Sequence, residues 1–181
     1  MKKDFVIPIA VLLIICIVIT GALAATNQLT EPIIAEAAAV RSDKAMQELD
    51  YSLKDFSELD LAGLPESVVS AFSAHNDMGV NYVFTVSADG YGGKGSLIIM
   101  VAVNPDGNVI ATKTLANGDT KGLGSRVSEP DFEGQFDHKP LSAADVADID
   151  GITGATISSN AYRGAVLTAL EAYEIITGGA K

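Results

Sequence analysis

Cysteine is almost absent from this sequence. The chain of 181 residues has one, Cys16, so an intrachain disulfide is excluded, and no cysteine-ligated zinc or iron–sulfur site can be built from this chain alone. Histidine is nearly as scarce. His75 and His138 are the only two and stand far apart, which argues against a histidine metal cluster. Basic residues are outnumbered 23 to 12 by acidic ones, giving a net charge of −11. Binding a phosphate backbone requires Lys and Arg, so nucleic acid is not an expected partner. An acidic surface is also a poor peripheral binder of anionic lipid, and the charge is read as serving solubility. No internal repeat, no low-complexity segment and no evident nucleophile–base set for substrate turnover occurs.

Charge of either sign is missing from residues 5–25, a block dominated by Val, Ile, Leu and Ala. A helix of about 20 such residues crosses a hydrocarbon core of roughly 30 Å. Pro8 lies in its first turns, where it disrupts least, and Cys16 is a small apolar residue within it. Ala22-Leu23-Ala24 resembles a signal-peptide cleavage site, but the apolar run exceeds the roughly 7–15 residues of a signal core, so a retained anchor is expected. Lys2 and Lys3 precede the block, while Thr26, Asn27 and Gln28 follow it uncharged. The positive-inside rule then puts the N-terminus in the cytoplasm and the rest of the chain outside. The expected organisation is a cytoplasmic tip and membrane helix over residues 1–27, a juxtamembrane helix over 28–50 and a folded domain over 51–181.

Beyond the anchor, Glu31-Pro32 is expected to open a helix to about Leu49, with Ile33, Ala37, Val40 and Met46 as a packing stripe. Residues 51–63 read as a polar loop. Residues 65–75 read as a short helix with Val68, Val69 and Phe72 inward. Residues 80–87 alternate as a strand, with Val80, Tyr82, Phe84 and Val86 on one side, and 96–103 are apolar enough for a strand buried on both faces. Asn104-Pro105-Asp106-Gly107 is a turn leading to a partner strand over 108–115. Residues 116–139 are irregular. Ser142 and Asp145 suit a capping box. Residues 157–176 form a helix, with Ile157, Ala161, Ala165, Ala169 and Tyr173 recurring at four-residue spacing and Gly178-Gly179 stopping it. Helices flanking a largely antiparallel run of strands indicate an α+β domain.

Gly90, Gly92 and Gly95 satisfy G-x-G-x-x-G, but a dinucleotide fingerprint must open a helix. Here Leu97-Ile98-Ile99-Met100-Val101 follows, so a tight connection between two strands is expected instead. More informative is Asp150-Gly151-Ile152-Thr153-Gly154-Ala155-Thr156, which runs straight into the last helix. Its small residues allow close backbone approach, and Thr153 is placed to cap the helix. Free N–H groups and the positive end of the helix dipole near Thr156 suit a phosphate. On these residues alone, a capped helix start without any ligand is the commoner outcome.

The same segment resembles the flavinylation motif of the FMN-binding domain family, D-x-x-[S/T]-G-A-[T/S]. Asp119-Thr120-Lys121-Gly122-Leu123-Gly124 is similar to that family's E-T-P-G-L-G segment, with Asp for Glu and Lys for Pro. The Tyr91-Gly92-Gly93-Lys94-Gly95 turn also resembles a glycine-bearing turn of the family. The resemblance implies FMN joined by a flavin transferase to the hydroxyl of Thr156 as a phosphoester. It implies cofactor-binding roles for Asp150, Thr153, Gly154 and Ala155 and for Thr120, Gly122, Leu123 and Gly124. The layout of one membrane helix and one such domain is similar to the G subunits of Rnf-type ion-translocating ferredoxin:NAD⁺ oxidoreductases, cousins of the C subunits of sodium-pumping NADH:quinone oxidoreductases. What this implies is an electron relay in the cell membrane, working with other membrane subunits. A standalone extracytoplasmic flavoprotein carrier and a non-redox anchored assembly or sensor domain stay as alternatives.

Overall fold

The computed structural model describes residues 2–49, 53–76, 79–137 and 140–178. His138 and Gly179, which the sequence reading used, lie outside the described residues. The chain divides into two units, residues 1–43 and 44–181.

The first unit is helical. Helix α1 spans Lys2–Leu49 without interruption, so the helix expected to open at Glu31-Pro32 is continuous with the apolar block. Pro32 sits inside α1, where it removes one backbone donor but leaves neighbouring turns of good helix formers intact. Thr26 and Thr30 donate their hydroxyls back to the Ala22 and Thr26 carbonyls, both at 2.9 Å. Val6–Ile33 is long and apolar enough to cross a membrane, its most apolar 18 residues having a mean hydropathy of 3.0. Of the expected packing stripe, Ile33 and Val40 are exposed and only Met46, in the last turn, is buried.

The second unit is an α+β fold built on five antiparallel strands in sequential order: β1 Lys54–Glu58, β2 Val68–Asn76, β3 Gly79–Gly90, β4 Gly93–Val103 and β5 Val109–Asn117. Helices α2 (Pro130–Glu133), α3 (Ala143–Ala147) and α4 (Thr156–Thr177) follow. Alternation along the central strands sends Tyr82, Phe84 and Val86 with Leu97, Ile99, Val101 and Val103 to one face, where Val166, Ala169 and Leu170 of α4 cover them. Val83, Met100 and Ala102 point to the other face, against Ala45, Met46 and Leu53. Both faces are therefore buried, as the apolar run in β4 requires.

Two strands differ from the sequence reading. Residues 54–58 form β1 rather than a loop; it is short, charged and mostly exposed, as an edge strand that must not recruit another chain tends to be. Residues 68–76 form β2 rather than a helix. Of the residues expected inward, Val68 and Phe72 do pack, but on opposite faces of the sheet. A bulge between Val68 and Ser70 restores Val68 and Ala71 to one face, and Ala74 is buried on the opposite face. Val69, expected inward, is the bulged residue and is exposed.

Residues 116–139, read as irregular, hold a 3-10 helix over Gly124–Ser128 and the short α2, while the turn, the capping box and the end of the last helix follow expectation. The Gly107 N–H donates to the Asn104 carbonyl at 3.0 Å and Gly107 has φ +77°, closing the β4–β5 turn. Ser142 and Asp145 form the capping box of α3. Gly178, at φ +70°, ends α4.

The outer edge of β5 is closed by side chains. The Thr112 N–H donates to Asp137 at 3.2 Å and the Thr114 N–H to Glu133 at 2.7 Å, while Val109 and Leu141 exchange two backbone bonds of 2.9 Å. Burial raises the Glu133 carboxyl above its ordinary range, outweighing the bonds from Thr114. Phe132, Phe136 and Tyr162 pack with ring centroids 5.0–5.7 Å apart, and the Tyr162 hydroxyl bonds to Thr112 at 3.0 Å. That cluster ties the segment after β5 to α4. Ile99→Ala in the central strand is expected to cost about 2–5 kcal/mol, and Val69→Thr on the bulge less than about 0.5 kcal/mol. Denaturant unfolding of the full chain in detergent checks both.

Candidate functional site

Three segments distant in sequence meet at the N-terminal end of α4: the β3–β4 connection, the loop from Gly118 to Gly124, and residues 154–158. Together they wall a cleft of about 390 Å³ lined by Tyr91, Thr120, Leu123, Gly124 and residues 154–158. That size suits a small organic ligand.

The start of α4 is built to leave donors free. Gly154 adopts φ +84°, a conformation glycine takes at no steric cost, and it turns the chain after Thr153. The helix consequently begins two residues later than a Thr153 cap would allow. Ala155 is the N-cap and has no side-chain acceptor, so Thr153 does not cap the helix. The N–H groups of Thr156, Ile157 and Ser158 precede the first intrahelical acceptor, and these residues line the cleft. Thr156 is exposed there. The segment before it is tied down from behind: the Ile152 N–H donates to the buried Ser159 hydroxyl at 3.0 Å, and Arg163 donates to the Ile149 carbonyl at 2.7 Å.

Asp119 joins the three segments. One carboxylate oxygen accepts from the Gly92 N–H and the Ser96 hydroxyl, both at 2.7 Å, and the other from the Ser158 hydroxyl at 2.5 Å. The Ser96 oxygen in turn accepts from the Gly90 N–H at 3.0 Å. Burial alone would raise this carboxyl. The bonds from Ser158, Gly92, Ser96 and the Tyr91 backbone outweigh it, and the group lies below its ordinary value. The glycines around it are sterically required. A Cβ at Gly90 would lie 2.5 Å from the carboxylate, one at Gly92 2.6 Å from the Gly118 carbonyl oxygen, and one at Gly124 2.6 Å from the Ser158 hydroxyl. Gly90 and Gly92 thus belong to a strand connection packed on Asp119, and the dinucleotide reading fails as expected.

Of the residues singled out in the sequence, Thr156, Ala155, Gly154, Thr120, Leu123 and Gly124 converge on the cleft. Gly122 does not line it; its φ of +76° and an N–H bond to Ser125 at 2.9 Å shape the loop instead. Asp150 and Thr153 border a separate, smaller depression of about 290 Å³ with Arg126, Glu129 and Asp131. Sequence reasoning missed Asp119 as the organising group, and Tyr91, Ile157 and Ser158 as lining. Ile157, expected in the packed stripe of α4, is exposed and lines the cleft; Ala165, Val166, Ala169, Leu170 and Tyr173 are buried as expected, joined by Ser158, Ser159 and Tyr162. The one available signal was the polarity of Ser158 and Ser159 at the head of an otherwise apolar face.

An uncapped helix start opening into a part-apolar cleft, on an antiparallel meander, is suited to a phosphate-bearing organic group. Residues 90–171 match the family model described as the FMN-binding domain. Over 180 residues, covering 94% of this chain and 95% of the relative, the chain is 27% identical to the G subunit of the ion-translocating oxidoreductase complex of Methanosarcina acetivorans. It is 37% identical to the G subunit of the proton-translocating ferredoxin:NAD(+) oxidoreductase complex of Clostridium ljungdahlii, over 55% of this chain and 57% of that relative's length. The corresponding G subunit of Shewanella piezotolerans is 27% identical over 92% of the chain and 88% of the relative. The fold matches the crystal structure of the C subunit of the Na(+)-translocating NADH-quinone reductase of Parabacteroides distasonis, with a TM-score of 0.52, 21% identity and coverage of 74% of this chain and 81% of that one.

Gly124→Ala is expected to destabilise by about 1–3 kcal/mol through overpacking. Gly164→Ala, at an exposed helical site with open space around it, should stabilise by up to about 1 kcal/mol. Thermal unfolding of the two variants reads these opposite signs.

Proposed function

We propose that this chain is a G-type subunit of an Rnf-type ion-translocating ferredoxin:NAD⁺ oxidoreductase, an electron relay carrying FMN as a phosphoester on Thr156. The observation that carries the reading is the exposed Thr156 hydroxyl at the first position of an uncapped helix, inside the cleft. Attachment exchanges the hydroxyl proton for the FMN phosphoryl group of FAD, with AMP leaving, and a flavin transferase supplies the catalysis. The free N–H groups of residues 156–158 and the helix dipole favour the phosphate, while Tyr91, Leu123 and Ile157 offer apolar surface to the ring system. The bound flavin supplies the redox chemistry; the chain positions it and sets its surroundings. No general base or nucleophile is needed for that role.

In this reading residues 1–27 form the cytoplasmic tip and membrane span, 28–50 lead out of the membrane, and 51–181 carry the flavin on the extracytoplasmic side. The charge asymmetry of Lys2 and Lys3 against an uncharged far flank supports that orientation. Other membrane subunits of the complex are the electron donor and acceptor. Asp150 lies outside the cleft, beside Arg126, Glu129 and Asp131, where the transferase can reach it on the undocked protein; its part is recognition during modification.

Protein made with a flavin transferase present is expected to show a fluorescent band on a denaturing gel, and Thr156→Ala a dark one. A dark wild-type band, with the transferase active on another substrate, would refute the reading. Asp150→Ala should slow labelling without changing the absorption spectrum of whatever flavin is attached, and labelling at the wild-type rate would count against its role in recognition.

A further inference from the structure

Asp119 is 6% exposed, yet every group that holds it is neutral: the hydroxyls of Ser158 and Ser96 and the N–H groups of Gly92 and Tyr91. Neutral donors stabilise a carboxylate without cancelling its charge. The same bonds keep its pKa below the ordinary carboxylate range, so the charge persists at neutral pH. Gly90 and Gly124 leave no side chain against Asp119, where a Cβ would come within 2.5 Å and 2.7 Å of it. Two residues it touches or crowds, Ser158 and Gly124, and its chain neighbour Thr120 line the cleft. An uncompensated negative charge therefore stands immediately behind the cleft wall.

We propose that Asp119 holds the reduction potential of the flavin ring in this cleft lower than a neutral residue at the same place would, an inference that rests on the flavin reading of Thr156. Reduction adds electrons to the ring, and any share not matched by proton uptake leaves negative charge there. A fixed carboxylate opposes that charge and makes the reduced group a stronger donor. Asp119 acts through the wall formed by Ser158 and Gly124, so it is a positioning and field-setting residue rather than a catalytic one.

The test is spectroelectrochemical titration at pH 7 of flavinylated full-length protein in detergent, with dithionite as reductant and dye mediators. Asp119→Asn is expected to titrate at a more positive midpoint than wild type. A second pair guards against misfolding of that variant: Asp119→Glu and Asp119→Gln are matched in size, and only the charge separates them. The Glu variant should stay close to wild type and the Gln variant should move positive. A purely structural role would alter the unfolding temperature of both without separating their midpoints. Equal midpoints within a loaded pair, or a more negative midpoint in the neutral member, overturn the proposal. The gel separates the two levels: a dark wild-type band removes the flavin reading and this inference together, whereas fluorescent bands with equal midpoints remove only the role of Asp119.

Discussion

The cleft depends on one buried carboxylate. Asp119 binds the β3–β4 connection through Gly92 and Ser96, and the head of α4 through Ser158. Taking a charge out of water is costly unless its lone pairs are satisfied, and here donors from two other segments satisfy them. The three walls of the cleft are therefore held in register by a single group that none of them could satisfy alone. The close approach this demands explains why Gly90, Gly92 and Gly124 have no side chains.

Rigidity behind the site comes from a sheet buried on both faces. Ile99 and Val101 pack beneath α4 while Met100 and Ala102 pack on the opposite face, so β4 cannot slip by one residue without inverting both cores. The free edge of β5 is closed by Glu133, Asp137 and Leu141. The Phe132–Phe136–Tyr162 cluster then fixes the returning chain against α4. Because α4 is anchored along its length by Tyr162, Val166 and Leu170, its first turn can be left uncapped and exposed without fraying the helix.

That exposed first turn is where fold and proposed function meet. A side-chain cap would satisfy the same N–H groups that a phosphate needs; Ala155 at the N-cap leaves them available. Leu123, Tyr91 and Ile157 stay exposed around the cleft although most large apolar side chains of this unit are buried. A relay needs a held cofactor and a defined electrostatic field more than acids and bases. The apolar rim, free backbone donors and carboxylate behind the wall suit the proposed relay.

Much of the architecture was legible in the residues. The apolar block, the alternation in β3, the continuous run in β4, the Asn104–Gly107 turn, the Ser142–Asp145 capping box and α4 all follow from local pattern, because each is decided by neighbours within a few positions. Thr156, Gly154, Leu123 and Gly124 were also identifiable, because the two segments that carry them resemble motifs of a known family. Elsewhere local pattern misled. Residues 68–74 mimic a helix because a bulge and two-faced burial reproduce its spacing, and β1 has no apolar alternation because an exposed edge needs none. The role of Asp119 was invisible for a different reason: it depends on donors from positions 91–96 and 158, and on the absence of side chains at 90, 92 and 124. The sequence alone determined the apolar helix, the central strands and their turn, and the last helix, and by resemblance it singled out Thr156. Only the tertiary structure decided what surrounds that threonine, since the cleft exists through contacts between segments that nothing in their spacing brings together.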